Sequence, residues 1–448
     1  MQLTNLTPFS ALCFSSVDTL DRACDTVVIR VGYHITIDPA SGVASLTVRD
    51  TDAEPLQLED SYWEPMTIGE GDSNSHDAQA LKRDSEKPFY EHSLRQETDL
   101  APFKPCCDVL VVGSAHAPQS KPAKRWPIKI RLQSRTQSSP TTAVPVIEKV
   151  LEVSPPGAFY HGVLGWTLKR DKKAIKVPLR WEYAFGGKSQ VPNPKHQTDD
   201  TQPEWLLNEV CYSNPLGGGW MDKRHTRLAR KANTALPKEL TAPSIFYPKQ
   251  SLQEPSRIKH PKDVTNAKEM AEVAAGYPLQ PAGLGVVNRS WAPRLALSGT
   301  YDELWQKTRW PLPPKDFDER YWNCAPLDQQ APWPSPDCSL EAWHLFDSAV
   351  APSGYVAMQL PGHRAFVMAR LNNGTPLPLP AVIDTLVLDT DQQTLSVVWR
   401  CRIPKNPLIA SLETRFEVDP SAPLLKWRPH LHRQETSAIQ TTRKEATT

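Results

Sequence analysis

The sequence predicts a mainly β fold, in which antiparallel sheets form a sandwich or a distorted barrel-like arrangement with long proline-rich loops and a few short helices. The chain of 448 residues contains 44 prolines. A proline inside a helix costs about 3 kcal/mol, because it removes a backbone donor and clashes with the preceding turn. Runs of β-branched residues with alternating polarity recur along the sequence. Fourteen tryptophans argue against disorder, since disordered chains are poor in large aromatic residues.

The predicted strands are short and are separated by polar turns. They cover residues 26–37, 44–50, 107–115, 127–133, 143–153, 177–185, 354–360 and 364–371. Residues 384–400 predict a final hairpin, because LVLD and LSVVW flank the polar turn TDQQT. Helical crossovers of a dozen residues do not separate neighbouring strands, so we expect antiparallel pairing.

Changes in composition and in periodicity divide the chain into four segments. Residues 1–187 predict an N-terminal β-rich domain, and residues 188–281 predict a long irregular excursion with short helices. Residues 282–432 form a C-terminal part with a capped helix and the final hairpin, and residues 433–448 read as a disordered tail.

Two short helices are predicted inside the irregular excursion. One covers residues 204–211, EWLLNEVC, and the other covers residues 262–276, where Gly276 provides a common helix C-terminus. Before the excursion, residues 53–98 contain GEGDSNSHD and predict a mobile loop.

The charge balance predicts partners that are met through local surfaces. Lys and Arg total 51 against 50 for Asp and Glu, so the net charge is too small to attract nucleic acid or anionic lipid over a distance. We therefore expect neither a nucleic-acid nor a membrane partner. No apolar run approaches the roughly 20 residues that cross a bilayer. The N-terminus lacks a basic leader, an apolar stretch and a cleavage site, so we expect a cytoplasmic protein.

Cysteine and histidine spacings predict no metal site and no cofactor. Eight scattered cysteines without a CxxC pair predict reduced thiols. His430 and His432 would share one face of a strand, but a third ligand in register is not visible. No glycine motif matches a nucleotide-binding loop, and no serine stands in a GxSxG elbow.

Residues 291–326 contain the best enzymatic candidates, which are carboxylates interleaved with aromatic residues. A glycosidase needs two carboxylates about 5 to 9.5 Å apart, usually in an aromatic cleft. The candidate acids are Asp302, Glu303, Asp316, Asp318 and Glu319.

The same stretch has a structural interpretation, which we favour. TYDELWQKTRW predicts a short helix with Thr300 as its N-cap and Glu303 closing a capping box, and with Leu304 and Trp305 turned inward. The following turn, PLPPKDFDERYW, would hold Phe317 and Tyr321 against the core and leave its charged residues near the surface.

Several longer motifs resemble a bacterial family that was first catalogued as a domain of unknown function and is linked to type VI secretion. The resembling segments are residues 90–118, 178–187, 214–220 and 277–330, in the family's order, with residues 384–400 similar to its final hairpin. The family's KPxxD strand motif is present at residues 104–108, where Cys106 and Cys107 replace the usual small residue or threonine.

The resemblance implies a non-enzymatic adaptor or chaperone. Such a protein binds a secreted effector, often one with a PAAR-type domain, and promotes its loading onto the VgrG spike protein. A neutral, β-rich chain with abundant tryptophan and no ligand cluster is compatible with this role.

Three function classes follow, and each makes a different use of residues 291–326. The first is the effector adaptor, the second is a carbohydrate-active hydrolase using carboxylates from 302–319, and the third is a structural component of the secretion apparatus. For the adaptor, the expected fold-determining residues that border the partner surface are Trp291, Arg294, Tyr301, Trp305, Asp316 and Phe317.

Overall fold

The computed structural model describes residues 2–64, 92–136, 138–258, 264–277 and 279–424. The predicted mainly β fold is confirmed, with one large curled sheet, several small sheets and short helices. Most of the predicted loop 53–98, the pair His430 and His432, and the tail 433–448 lie outside the described residues.

The strands are numbered in chain order. They are β1 (Leu3–Asn5), β2 (Ser10–Val17), β3 (Ala23–Ile37), β4 (Val43–Val48), β5 (Ser61–Tyr62), β6 (Leu94–Gln96), β7 (Cys107–Val112), β8 (Ser114–His116), β9 (Trp126–Thr136), β10 (Ser139–Val153), β11 (Gly157–Gly162), β12 (Gly165–Arg170), β13 (Lys176–Pro178), β14 (Phe185–Gly186), β15 (Lys188–Pro192), β16 (Trp205–Val210), β17 (Gly218–Asp222), β18 (Glu239–Ala242), β19 (Ile245–Phe246), β20 (Ser256–Ile258), β21 (Gln330–Ala331), β22 (Ser339–Trp343), β23 (Tyr355–Gln359), β24 (Arg364–Leu371), β25 (Pro376–Pro380), β26 (Val382–Asp389), β27 (Thr394–Pro404) and β28 (Ile409–Glu417).

The helices are short. The α-helices are α1 (His225–Lys231), α2 (Ala267–Ala275), α3 (Ala292–Leu295) and α4 (Glu303–Thr308), and 3-10 turns lie at Pro118–Ser120, Trp181–Tyr183, Pro194–Gln197, Glu319–Trp322 and Leu327–Gln329.

The largest sheet is built mainly of strands from the first and last thirds of the chain, with β19 from the middle third. Its order is β19-β10-β9-β22-β23-β4-β3-β27-β26-β7-β21, and β2 also pairs with β3. Most pairings are antiparallel as expected, and the predicted final hairpin is β26 and β27. The pairings of β4 with β23 and of β7 with β26 are parallel. These partners are far apart in sequence, so short turns could not indicate their direction.

Two predictions of local structure were wrong. Residues 204–211 form β16 instead of a helix, because β15 offers an antiparallel partner and Leu207 packs with Val191 and Ala229. Residues 177–185 are a continuous strand only in part. Their backbone turns at Trp181–Tyr183, where the indole nitrogen of Trp181 donates to the Val286 carbonyl at 2.6 Å. The helix predicted over residues 262–276 is present as α2 and ends at Gly276 as expected, but it begins later, at Ala267, behind the N-cap Asn266.

The central strands β3, β7, β26 and β27 are buried on both faces. One face, with Val27, Ile29, Val109 and Leu386, contributes to the main hydrophobic core. The opposite face, called here the second face, is covered by chain segments without long regular structure. All eight cysteines are free thiols as expected, and six of them are buried.

Buried guanidinium groups attach the covering segments to the second face. Arg30 on β3 is 2% exposed and donates to Asp99 at 3.0 Å and to Glu54 at 2.7 Å. Arg400 on β27 is 3% exposed, is paired with Asp384 and donates to the Asp99 carbonyl at 2.9 Å. Each ion is therefore bonded to a loop that lies over the sheet.

The KPxxD motif forms another buried ion pair on this face. The ammonium of Lys104 donates to Asp108 at 2.8 Å and to Thr385 at 2.9 Å. Asp108 also accepts the backbone amides of Cys324 at 2.9 Å and Ala325 at 3.1 Å. Burial opposes ionisation of Asp108, but Lys104 and the two amides hold its pKa below the usual value.

A further buried cation, Lys149, lies at the edge of the core. Lys149 on β10 donates to the Gly283 carbonyl at 2.7 Å, to Asp328 at 2.7 Å and to Gln329 at 2.8 Å. Burial lowers the pKa of Lys149 to about 8, and Asp328 offsets only part of that effect.

Removing the charge of Asp108 should destabilise the fold strongly. We expect Asp108→Asn to lower the free energy of unfolding by about 3 to 5 kcal/mol, because it leaves the buried Lys104 ammonium without its counter-ion. Urea unfolding measures the loss. Glu303→Gln, which removes an exposed partner of Lys307, is the matched control and should leave the midpoint unchanged. Equal midpoints for both variants would contradict the role given to the buried pair.

The buried Lys149 should make stability depend on pH in a definite direction. Its folded pKa of about 8 lies below that of an unfolded lysine, so between pH 8 and about 10 the unfolded chain binds more protons. The stability of the wild type relative to Lys149→Met should therefore rise with pH across that window and be constant below it. Urea unfolding of both proteins at pH 7 to 10 measures the difference, and a flat profile would rule out the lowered pKa.

Candidate functional site

An exposed aromatic surface surrounds the short helix α4. We call Tyr301, Leu304, Trp305 and Trp310 the aromatic ledge. Tyr301 is 55% exposed, Leu304 is 67% exposed and Trp310 is 70% exposed, whereas Trp305 is half-buried between them. Large apolar side chains grouped this way on a protein surface are characteristic of sites that contact a partner.

Helix α4 begins two residues later than the sequence predicted. Asp302 is its N-cap, because its carboxylate accepts the backbone amide of Trp305 at 2.8 Å. The predicted N-cap Thr300 and the predicted capping box were wrong. Glu303 is the first helical residue, and it pairs with Lys307 at 3.1 Å instead.

The indole of Trp305 sets the orientation of the ledge. Its nitrogen donates to the Leu312 carbonyl at 2.9 Å, and its ring meets Tyr301 edge-on with centroids 4.7 Å apart. The Trp310 ring lies perpendicular to it at 5.9 Å. With Trp305 taking the inner position of so short a helix, Leu304 faces solvent, and the prediction that it turns inward was wrong.

Arg309 fixes the C-terminal end of the ledge to the large sheet. Its guanidinium makes two bonds to Asp21, at 2.8 and 2.9 Å, and two bonds to the Pro313 carbonyl at 3.0 and 2.8 Å. Asp21 lies in the turn between β2 and β3 with a φ of 62°. The bidentate geometry restricts rotation as well as distance, so the ledge is held in one orientation.

The N-terminal end of the ledge is closed by Asp316. Its carboxylate accepts the amide of Thr300 at 3.0 Å and the hydroxyl of Thr300 at 2.7 Å. Gly299 adopts a φ of +81°, and a Cβ there would meet Pro314 at 2.9 Å, so the chain crosses itself closely at this point. The crossing makes residues 299–317 a closed loop that carries α4.

Two of the six predicted border residues lie inside the protein. Trp291 is 4% exposed and packs edge-on against Trp181 with ring centroids 5.4 Å apart. Arg294 is 3% exposed and donates to Glu97 at 3.0 Å and to the Tyr321 carbonyl at 2.7 Å. Both side chains hold residues 291–323 against neighbouring segments and contact solvent very little.

The other four predicted residues lie at or next to the ledge. Tyr301 and Trp305 belong to it, and Asp316 supports it. Phe317 is half-buried and packs against Tyr321 at 5.7 Å and Trp322 at 5.9 Å, which is the environment expected of a bracing residue.

Sequence reasoning missed Leu304 and Trp310 as surface residues. A signal for Trp310 was present, because the helix pattern ends before PLPP and a tryptophan at that position has no helix face to pack against. The exposure of Leu304 depends on where the helix begins, which the sequence placed too early.

The carboxylates of this region are engaged in structural contacts. Asp318 caps the turn Glu319–Trp322 and pairs with Arg320, and Glu319 pairs with Arg402. Hydrogen bonds from Thr300 lower the pKa of Asp316, and bonds from Arg320 lower the pKa of Asp318. A general acid in glycoside hydrolysis needs the opposite shift.

Within the described residues, no group of three or more His, Cys, Asp or Glu side chains is placed to hold a metal ion. The described part of the chain also includes no helix that is long and apolar enough to cross a membrane. The buried cysteines are poor nucleophiles, because burial raises the pKa of Cys211, Cys338 and Cys401 to about 12.

Replacing the N-cap should loosen the ledge without unfolding the protein. Asp302→Ala removes the acceptor of the Trp305 amide, which costs about 1 kcal/mol locally. Amide exchange over residues 303–308 should accelerate about fivefold, whereas Asp302→Asn, which keeps an acceptor oxygen, should change it little. Equal exchange rates in the Ala and Asn variants would show that the cap does not stabilise α4.

Comparison with known proteins places the chain in a family. A search of curated proteins and a search of solved structures find no match. A family model described as an uncharacterized protein conserved in bacteria, DUF2169, matches residues 22–400, which include the central sheet, the KPxxD motif and the aromatic ledge. The chain therefore belongs to the DUF2169 family of bacterial proteins.

Proposed function

We propose that this protein is a non-enzymatic adaptor that binds a secreted type VI effector, one with a PAAR-type domain, in the bacterial cytoplasm and promotes its loading onto the VgrG spike protein. The observation that carries the proposal is the aromatic ledge, a fixed and exposed group of Tyr, Leu and Trp side chains. The resemblance of residues 277–330 to secretion adaptors supports the choice of these partners.

The ledge has the properties expected of a binding hot spot. Its rings are oriented by contacts within the protein, so little side-chain entropy remains to be lost when a partner binds. Tryptophan and tyrosine dominate measured hot spots, where truncation of one side chain costs about 2 kcal/mol or more. The two hydrogen bonds from Arg309 to Asp21 attach the ledge to the turn between β2 and β3 of the large sheet.

The hydrolase alternative lacks comparable support. The five carboxylates in residues 302–319 cap helices, close the loop or pair with basic side chains. A role as a structural component of the secretion apparatus differs from the adaptor role in one measurable respect, which is whether the effector depends on this chain to reach the spike.

Loading can be measured by recovering tagged VgrG from cells and quantifying the effector that accompanies it. Deleting the gene for this protein should remove the effector from the spike, and the wild-type gene should restore it. A spike that keeps its effector after the deletion would overturn the adaptor proposal.

The surface can be tested separately with purified protein and the effector identified in that way. Tyr301→Ala combined with Trp310→Ala should weaken binding at least 30-fold, because each truncation removes exposed contact area that a partner would cover. Leu408→Ala alters an exposed apolar residue of similar accessibility elsewhere and is the control. Unchanged affinity of the double variant would show that the effector binds at another surface.

A further inference from the structure

The hairpin of β11 and β12 ends in an apolar turn. Gly162 pairs with Gly165, and the two residues between them, Val163 and Leu164, are both fully exposed. Two-residue hairpin turns ordinarily use Gly, Asn or Asp, whose backbones fit the turn and whose side chains tolerate water. We call Val163 and Leu164 the hairpin tip.

Aromatic residues lie directly behind the hairpin tip. Trp166 on β12 meets the ring of His161 edge-on, with centroids 4.9 Å apart. Tyr160 lies one residue further back, and the ammonium of Lys169 sits over its ring at 5.1 Å. Tryptophan and tyrosine in such positions are enriched where a protein passes from hydrocarbon to water.

A concentration of lysines lies near the base of the hairpin. Residues 121–125 and 169–176 contain eight basic residues and one carboxylate, in a chain whose overall net charge is only +1. The two stretches are neighbours, because Ala123 and Ala174 exchange backbone hydrogen bonds of 2.9 and 3.0 Å. The exposed lysines, called here the lysine patch, are Lys121, Lys124, Lys169, Lys172, Lys173 and Lys176.

Within the described residues, carboxylates neutralise little of the lysine patch. Lys176 pairs with Asp391 at 3.5 Å, with both side chains more than a third exposed, and Lys121 bonds the neutral amide of Gln119. Exposed pairs of this kind are weak and are screened by salt. The patch therefore presents a net positive surface.

The dimensions of the hairpin suit a lipid surface. Lys169 pairs with Ala158, four residues along β11 from Gly162. At about 3.3 Å per residue, the lysine lies about 13 Å behind the tip. The headgroup layer on each side of a bilayer is about 5 to 8 Å thick, so a tip inserted about 5 to 8 Å beyond it, into the hydrocarbon, brings the backbone of the first lysine to the outer edge of the headgroups.

From the tip and the patch together, we propose that this face of the protein binds the surface of an anionic lipid bilayer. Six of the seven exposed cations in residues 121–125 and 169–176 are lysines, and the seventh, Arg125, is paired with Glu152. Lysines are depleted in protein–protein interfaces but attract anionic lipid without specific geometry. A narrow apolar tip can enter a bilayer without a complementary pocket. This inference does not rest on the proposed adaptor function.

Vesicle flotation with the full-length protein tests the proposal. We expect binding to vesicles of phosphatidylglycerol and phosphatidylcholine mixed in equal parts, loss of binding in 0.5 M salt, and at least tenfold weaker binding to pure phosphatidylcholine. Equal binding to both vesicle types, or none to either, would overturn the proposal.

Two pairs of substitutions separate the contributions of the tip and the patch. Val163→Ser with Leu164→Ser, and Lys172→Glu with Lys173→Glu, should each weaken binding to anionic vesicles about tenfold or more. Leu408→Ser and Lys315→Glu alter exposed residues elsewhere and should have no effect. The surface positions in all four proteins leave the core untouched, and circular dichroism checks their folding.

A polyanion distinguishes a membrane from an acidic macromolecule. If poly-glutamate or duplex DNA binds the wild type at the same salt at which anionic vesicles do not, the patch recognises a protein or nucleic acid and the membrane proposal is wrong. If the vesicles bind and the tip variant does not, the apolar insertion is confirmed.

Discussion

The structure depends above all on the burial of positive charge against the second face of its central sheet. Lys104, Arg30 and Arg400 are almost inaccessible, and each is neutralised by a carboxylate. A buried ion without its partners costs several kcal/mol, and the covering segments supply Asp99 and Glu54 to Arg30 and the Asp99 carbonyl to Arg400. The loops over this face are thereby specified by electrostatics as well as by apolar contact, although they contain little regular structure.

Buried charged groups also hold the segment that carries the aromatic ledge. Arg294 ties residues 287 and 321 to Glu97, and Asp108 accepts the amides of Cys324 and Ala325. The two anchors enclose the closed loop that carries α4, and Arg309 adds a third attachment at Asp21. A surface held at three points can present exposed aromatic side chains in one arrangement, which is the requirement that a binding platform must meet.

Elements with a strong local signal were predicted well. Alternating β-branched residues located β3, β4, β9, β10 and the final hairpin, and Gly276 marked the end of α2. Errors arose where a distant partner decided the outcome. EWLLNEVC has the spacing of a helix, yet pairing with β15 made it a strand, and the contact between Trp181 and Val286 interrupted the strand predicted over residues 177–185.

In the candidate site, too, the features set by neighbouring residues were predicted and those set by distant segments were not. The sequence alone predicted a capped helix and a proline-rich turn within residues 291–326, because caps and proline turns depend on near neighbours, although the N-cap is Asp302 and not the predicted Thr300. The sequence could not separate the buried Trp291 and Arg294 from the exposed Tyr301 and Trp310. Tryptophan, tyrosine and arginine all occur both inside proteins and on their surfaces, so the residue type does not show whether a side chain is buried. Nor could the total charge reveal the lysine patch, which exists because two stretches about fifty residues apart meet at Ala123 and Ala174. Exposure and local charge are properties of which segments meet, and only the tertiary structure decided them.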